Sequence, residues 1–164
     1  MSFALRNLVT DPACRRDYLR EIRPRCRGLI GTLSNYIPEE VITAAGFHPV
    51  RLIGPFASSE SAGRTLFTPV CSFARDCFAA AEAGEFARLR EVIFPNSCDS
   101  LRVLFQMWQS RLSAPPAWCL PHPVNADEAA VACFAEQLRS FAVHLRELGG
   151  EAVTEDALWA SIRQ

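Results

Sequence analysis

The fold is decided by the stretch Glu91-Val-Ile-Phe-Pro-Asn-Ser-Cys98-Asp-Ser-Leu-Arg102, in which an apolar strand runs directly into a polar turn and then a helix. The helix is predicted to begin at about Asp99 or Ser100, where a capping residue is available. Its apolar residues repeat at helical spacing on one face: Leu101, Leu104, Phe105, Trp108 and Leu112. Cys98 lies where strand meets helix, and the N–H groups of a helix start favour a thiolate. Cys98 is therefore the best candidate for binding a metal or an anionic cluster.

Three further strands are predicted outward from this stretch, at residues 28–34, 49–54 and 117–120. The first is apolar without alternation, which is typical of a strand buried on both faces of a parallel sheet. Strands that alternate with helices predict an α/β fold with right-handed crossovers. We expect a single three-layer domain over residues 1–164, with a four-stranded parallel sheet of Rossmann or flavodoxin type.

A strand order of 2-1-3-4 would reverse the sheet between its first and third strands. Ligands of such sheets bind outside the carboxyl ends of the strands at that reversal. Residues 34–36 and 96–98 would then face each other across the reversal, and Cys71 would approach from beside the second strand.

Helix starts are marked by prolines or capping side chains. The marking residues are Pro12, Pro38, Ser72, Asp127 and Thr154. The helix after Asp127 carries one apolar stripe: Val131, Phe134, Leu138, Phe141, Leu145 and Leu148. We expect this stripe to pack on the sheet, and the alternative is an interface with a partner.

Composition excludes several classes of function. The formal net charge is −1, so there is no electrostatic case for binding nucleic acid or an anionic membrane, although all 17 basic residues are arginine. No apolar run has membrane-spanning length and no signal-peptide core is present, so we expect a cytoplasmic protein. Six of the arginines cluster near the start as a solvated helix face or, alternatively, an anion-binding site: Arg15, Arg16, Arg20, Arg23, Arg25 and Arg27.

Seven cysteines are many for a cytosolic domain of this size, and an odd number cannot all pair. No two have CxxC spacing, so metal ligands would have to converge from separate loops. Cys71 precedes the helix at Ser72 and repeats the arrangement of Cys98. Cys119 is a possible third ligand, but packing in its strand is the commoner role. The others are expected to pack in helices or lie outside every motif: Cys77 and Cys133, then Cys14 and Cys26.

Other polar residues give weaker signals. Ser34 is either a turn residue at the end of a strand or a hydroxyl that faces a substrate, and Asn35 is its neighbour. His122 lies between two prolines, where an exposed loop histidine is the ordinary outcome and a ligand or proton donor is the alternative. His48 and His144 have no partner visible in the sequence. Trp108 and Trp118 are predicted core residues.

Several of these segments together resemble the 2-hydroxyacyl-CoA dehydratase and benzoyl-CoA reductase family. The similarity runs through residues 31–46, with their Tyr-x-Pro-Glu-Glu turn, and through residues 49–51, 71–75 and 94–102. The order and spacing of the motifs agree with the family, and the resemblance covers nearly the whole chain.

The resemblance implies a low-potential [4Fe–4S] cluster that receives one electron from an ATP-dependent activator and reduces a CoA thioester. Cys71 and Cys98 match cluster ligands, because soft thiolates hold iron at low potential. Ser34 or Asn35 would orient the thioester carbonyl. The acyl group, and the choice between a lyase and a ring reductase, are not specified.

Two departures from the family leave two hypotheses open. Many members carry cysteine where this chain has Ser34, and family subunits resemble two such domains in tandem, of which this chain matches the first. Cys71 and Cys98 alone leave the ligand set incomplete. The chain is either a truncated subunit whose cluster is completed by a second domain or sister subunit, or a non-catalytic assembly or electron-transfer module without a complete cluster.

Overall fold

The computed structural model describes residues 12–54 and 70–164, with side chains described from residue 17 onward. The elements, in order, are α1 (Pro12–Ile22), a short 3-10 turn (Arg23–Arg25), β1 (Leu29–Thr32), α2 (Glu39–Ala44), β2 (His48–Arg51), α3 (Ser72–Glu82), β3 (Glu91–Pro95), α4 (Asp99–Arg111), β4 (Ala117–Leu120), α5 (Glu128–Glu147) and α6 (Glu155–Ile162). Within these ranges no helix combines the length and the apolar character needed to cross a bilayer.

The four strands form one parallel sheet in the order β2-β1-β3-β4. This confirms the predicted α/β class and the parallel pairing, and the strand order is the 2-1-3-4 arrangement considered above. In the register, Ile30 pairs with Glu91 and Phe94 pairs with Cys119. The first two strands are shorter than their apolar runs, because strand limits depend on pairing with neighbours and not on composition alone.

Helices cover both faces of the sheet, which gives the three predicted layers. One face packs against α3 and α4, with Phe78, Phe94 and Trp108 at its centre. The other packs against α2, α5 and α6 through a second cluster: Ile30, Ile37, Val41, Ile42, Ala45, Phe47, Ile93, Leu120, Phe141 and Leu145. The central strand β3 sends Val92 and Phe94 to the first cluster and Ile93 to the second, which explains its unalternating apolar pattern.

Two predicted helix caps are confirmed and one predicted start is shifted. The Asp127 carboxylate accepts a hydrogen bond from the Ala130 N–H, and the Thr154 hydroxyl accepts one from the Ala157 N–H. Pro38 is the residue before α2 and not its first helical residue. Its ψ of 92° keeps it extended, and the helix therefore begins one residue later.

The long helix α5 is buried along only part of its predicted stripe. Phe141 and Leu145 are fully buried, whereas the Val131 side chain is 63% exposed near the start of the helix. Core packing of the stripe is therefore confirmed in its second half only. Cys133 was expected in the core but is exposed, because this part of the helix extends past the residues that cover its later turns.

A close approach of backbones positions α3 relative to the sheet. A Cβ atom on Gly54, just after β2, would lie 2.5 Å from the backbone carbon of Asp76 in α3. Only a residue without a side chain fits at this distance. Gly54 therefore sets how close α3, and the Cys71 turn before it, can lie to β2.

Candidate metal centre at the carboxyl edge of the sheet

The candidate site lies where the direction of the sheet reverses. From β1 the chain moves outward to β2 and then returns to β3 on the other side of β1. The turns after β1 and β3 therefore emerge side by side at the carboxyl edge, as predicted. Ser34 and Asn35 belong to the first turn, and Cys98 belongs to the second.

Both candidate ligand cysteines are the N-cap residues of helices. Cys71 precedes α3 and Cys98 precedes α4, each with extended backbone angles and each exposed. The predicted start of α4 at about Asp99 is confirmed, but the predicted capping by Ser72, and by Asp99 or Ser100, is wrong, because the cysteines are the N-cap residues. Neither thiol makes a cap hydrogen bond. The backbone carbonyls of the two cysteines accept the first helical bonds, from Arg75 N–H and Arg102 N–H at 3.1 Å each. Each thiol therefore remains available to an external ligand.

A hydrogen bond joins the two cysteine turns. The backbone N–H of Cys71 donates to the hydroxyl of Ser100, two residues beyond Cys98, across 3.1 Å. Helices α3 and α4 also pack against each other on the same face of the sheet. The structure thus brings the two helix N-termini, and the cysteines that start them, together at one rim.

Within residues 17–54 and 70–164, no cluster of three or more His, Cys, Asp or Glu side chains has the geometry to hold a metal ion. Cys119, the possible third ligand, is half-buried in β4, and burial raises the pKa of its thiol. A raised pKa opposes formation of the thiolate that metals require. The described side chains therefore supply two exposed thiols and no third donor beside them.

Ser34 and Asn35 already have hydrogen bonds within the protein. The Ser34 side chain is almost buried, at 8% exposure for the residue, and its oxygen accepts a bond from the Tyr36 N–H at 3.2 Å. The Asn35 carbonyl oxygen accepts a bond from Arg51 at 2.8 Å. These bonds hold the turn after β1 in shape, and a substrate role for either residue stays a prediction.

His122 is placed differently from the exposed loop histidine that its sequence favoured. It is half-buried, with Nδ1 3.0 Å from the Leu120 carbonyl oxygen and Nε2 2.6 Å from the Tyr36 carbonyl oxygen. Its ring contacts those of Tyr36 and Phe134. The histidine therefore ties the loop after β4 to the turn after β1. The only sequence feature that singled out His122 was its position between two prolines.

The turn after β1 also lines an open cleft of about 510 Å³. Its lining residues are Asn35, Tyr36, Ile37, Pro38, Glu39, Glu40, His122 and Phe134. The volume is within the range of small-molecule sites, about 300–1,000 Å³. The cleft brings together polar groups from three segments at the carboxyl edge, which sequence order alone does not show.

Known proteins similar to this chain include subunits of CoA-dependent dehydratases and of a reductase. Residues 34–164 match the model of the family described as "2-hydroxyglutaryl-CoA dehydratase, D-component". The lactoyl-CoA dehydratase subunit beta of Anaerotignum propionicum is 29% identical over 83% of this chain and 36% of that protein. A benzoyl-CoA reductase subunit of Thauera aromatica is 26% identical over 84% of this chain and 36% of its own length. For (R)-2-hydroxyglutaryl-CoA dehydratase, subunit beta, of Acidaminococcus fermentans, the identity is 28% over 88% of this chain and 39% of that subunit.

The matched regions are thus less than half of these relatives' lengths. The family match itself extends over most of this chain and includes the β1 turn, both cysteine turns and the whole carboxyl edge. By sequence and by the fold that carries it, the chain belongs to the 2-hydroxyglutaryl-CoA dehydratase D-component family.

Proposed function

We propose that this chain is an iron–sulfur component of a 2-hydroxyacyl-CoA dehydratase or benzoyl-CoA reductase-like complex. It would contribute to the one-electron reduction of a CoA thioester, as part of a lyase or a reductase. The observation that carries this proposal is the hydrogen bond from Cys71 N–H to Ser100, which joins the two cysteine turns at one rim of the sheet. The family match supports the same chemistry.

The donor set fits part of a [4Fe–4S] site. Cys71 and Cys98 are exposed thiols whose side chains are not used as helix caps, and they would ligate two of the irons. When bound, such a cluster supplies single electrons at low potential. Since a cubane cluster has four irons, the described residues leave two of them without protein ligands from this chain.

The helices around the thiols would stabilise negative charge. Unpaired N–H groups and the positive end of the dipole lie at the start of α3 and of α4. Because Cys71 and Cys98 directly precede the two helices, the N–H groups of both helix starts lie at the rim that holds the cysteines. This arrangement favours thiolates and an anionic cluster over neutral ligands.

Ser34 and Asn35 would bind the substrate from the turn after β1. The Ser34 oxygen accepts a bond from the Tyr36 N–H, which leaves the hydroxyl proton to donate to a thioester carbonyl. The Asn35 oxygen is held by Arg51, and its amide N–H groups remain to donate. Both residues would orient the acyl-CoA and would not take part in electron transfer.

The missing ligands would come from a second domain or a sister subunit, and electrons from an ATP-dependent activator. Three of the relatives are themselves named as subunits, which supports a multi-chain complex. Within such a complex, residues 1–164 would act as one α/β domain, since the described helices cover both faces of a single sheet. We place this complex in the cytoplasm, where thiols stay reduced.

A second function is favoured by two observations. No third donor lies beside the two thiols within the described residues, and a serine is present at position 34. A non-catalytic assembly or electron-transfer module of the same ancestry would need no complete cluster. This alternative predicts a stable protein that binds a sister subunit but never retains iron.

Anaerobic reconstitution with iron and sulfide separates the two functions. The protein is reconstituted alone and with a candidate sister subunit, and iron and acid-labile sulfide are then measured. The first function predicts iron and sulfide in the complex. Colourless, iron-free protein in both preparations would overturn it in favour of the second.

Cysteine variants test which residues bind the iron. Cys98→Ala and Cys71→Ala should each lose bound iron while circular dichroism stays unchanged, because both residues lie in exposed turns. Cys133→Ala is the matched control, since this thiol is also exposed but lies on α5. Equal loss of iron in the control would show that the iron is bound nonspecifically.

A further inference from the structure

A second cleft lies at the opposite, amino edge of the sheet. It has a volume of about 450 Å³ and is lined by Leu19, Arg20, Arg23, Pro24, Leu29 and Arg88. Leu29 is the first residue of β1, and Arg88 precedes the start of the parallel neighbour β3. The cleft is therefore separated by the length of the sheet from the cysteine turns.

Three arginines line this cleft, and no acidic residue is among the lining residues that the structure describes. The guanidinium groups of Arg23 and Arg88 make no ion pair or hydrogen bond with any group that the structure describes. Arg20 pairs with Asp17 at 3.1 Å, but both side chains are largely exposed. Such a pair adds little stability, so Arg20 remains available to another anion.

The side chains of Arg15 and Arg16 lie outside the described part of the first segment, and the arginines after them include two kinds. Arg25 pairs with Glu21 and Arg27 pairs with Glu151, as a solvated surface would require. Arg23 instead joins Arg88, which is distant in sequence, at the cleft. A solvated helix face explains the first kind and not the second.

The rest of the lining is apolar. Leu19, Pro24 and the buried Leu29 supply hydrocarbon surface beside the charged groups. Guanidinium groups bind phosphate through paired N–H donors and also stack on planar rings. A bare phosphate would use only the charged half of this lining.

We propose that the amino-edge cleft binds the diphosphate and base of a nucleoside diphosphate group. Arg23 and Arg88 would hold the phosphates, with Arg20 adding a third cation. The base would lie against Leu19 and Pro24. The same chemistry is carried by a free nucleotide or by a nucleotide within a larger ligand, and free pyrophosphate carries the charged part alone.

Calorimetric titration of the full chain tests this assignment with three probes: ADP, pyrophosphate and adenosine. We expect ADP to bind most tightly, pyrophosphate to bind more weakly, and adenosine to show no measurable binding. ADP affinity should fall as salt is raised, because the contacts are ionic. Absence of ADP binding at millimolar concentrations would overturn the proposal, and pyrophosphate binding as tight as that of ADP would overturn the nucleotide assignment.

Arginine variants locate the binding. The double variant Arg23→Gln/Arg88→Gln should weaken ADP binding about tenfold or more, since it removes two charged donors. The matched control Arg139→Gln/Arg146→Gln removes two exposed arginines from α5 and should leave ADP affinity unchanged. Equal ADP affinity in wild type and the first double variant, with both folded by circular dichroism, would overturn the site.

Discussion

His144 of α5 donates from Nε2–H to the Glu91 carboxylate at the start of β3, across 2.6 Å. The Glu91 residue is only 5% exposed, and the His144 ring stacks on Trp118 with centroids 4.9 Å apart. A carboxylate buried this deeply is stable only with a partner. This contact therefore joins the long helix to the sheet through a polar pair next to an apolar core.

Loss of the histidine should destabilise the protein. We expect His144→Ala to lower the free energy of unfolding by about 2–4 kcal/mol, because it leaves a buried carboxylate without its partner. Urea denaturation measures the change. Arg146→Ala, an exposed change on the same helix, should stay within about 0.5 kcal/mol of wild type. Equal effects of the two variants would show that the Glu91 contact contributes nothing.

His48 should make stability depend on pH. Burial lowers the pKa of His48, and the nearby Glu39 carboxylate opposes this in part. The ring lies 3.3 Å from the Tyr18 hydroxyl. Because the unfolded chain binds a proton at this histidine more readily than the folded protein does, stability should fall as pH drops below about 6.5. Urea melts from neutral to mildly acidic pH should show a shallower decline for His48→Asn, and an equal slope would contradict this cause.

The cysteines should differ in their reaction with iodoacetamide. Cys71, Cys98 and Cys133 are exposed and should be alkylated first in the native protein. Cys119 should react slowly and gain rate as pH is raised into the alkaline range, since burial raises its pKa. Cys77 is fully buried and should react only after unfolding. Mass spectrometry of peptides over time checks this order, and early alkylation of Cys77 would contradict the packing of α3.

The Ser100 hydroxyl should matter for the geometry of the cysteine turns. Ser100→Ala removes the acceptor of the Cys71 N–H and should cost about 0.5–1.5 kcal/mol. Ser110→Ala is the control, because the one partner of that hydroxyl among the described residues is the Met107 carbonyl of its own helix. If the proposed function holds, reconstituted Ser100→Ala should also bind less iron than Ser110→Ala. Identical stability and iron content in both variants would show that the hydrogen bond from Cys71 to Ser100 contributes neither to stability nor to iron binding.

Much of the fold was predictable because its signals are local. The unalternating apolar runs around Ile30 and Ile93 indicate strands covered on both faces, and the structure confirms this. Asp127 and Thr154 cap their helices as their positions indicate. No local pattern specified the strand order, but the order 2-1-3-4, once assumed, placed the Cys98 turn and the Ser34 turn at one edge, and the structure has that order.

Other features depend on contacts between distant residues. The expected Ser72 cap was wrong because Cys71 is the N-cap residue of α3, and the N–H of Cys71 bonds to Ser100. Cys133 lies at helical spacing near apolar residues, yet it is on a side of α5 that the described residues leave exposed. The burial of a side chain depends on its neighbours in space, which periodicity does not specify.

The sequence by itself determined the α/β class, the parallel order and the two cysteine turns, because periodicity and turn chemistry act within a few residues. Only the tertiary structure decided which polar groups meet. Glu91 and His144 are 53 residues apart, and His122 and Tyr36 are 86 apart. Such pairs form only when the packed sheet and helices bring distant segments to hydrogen-bonding distance, and no local pattern encodes that distance.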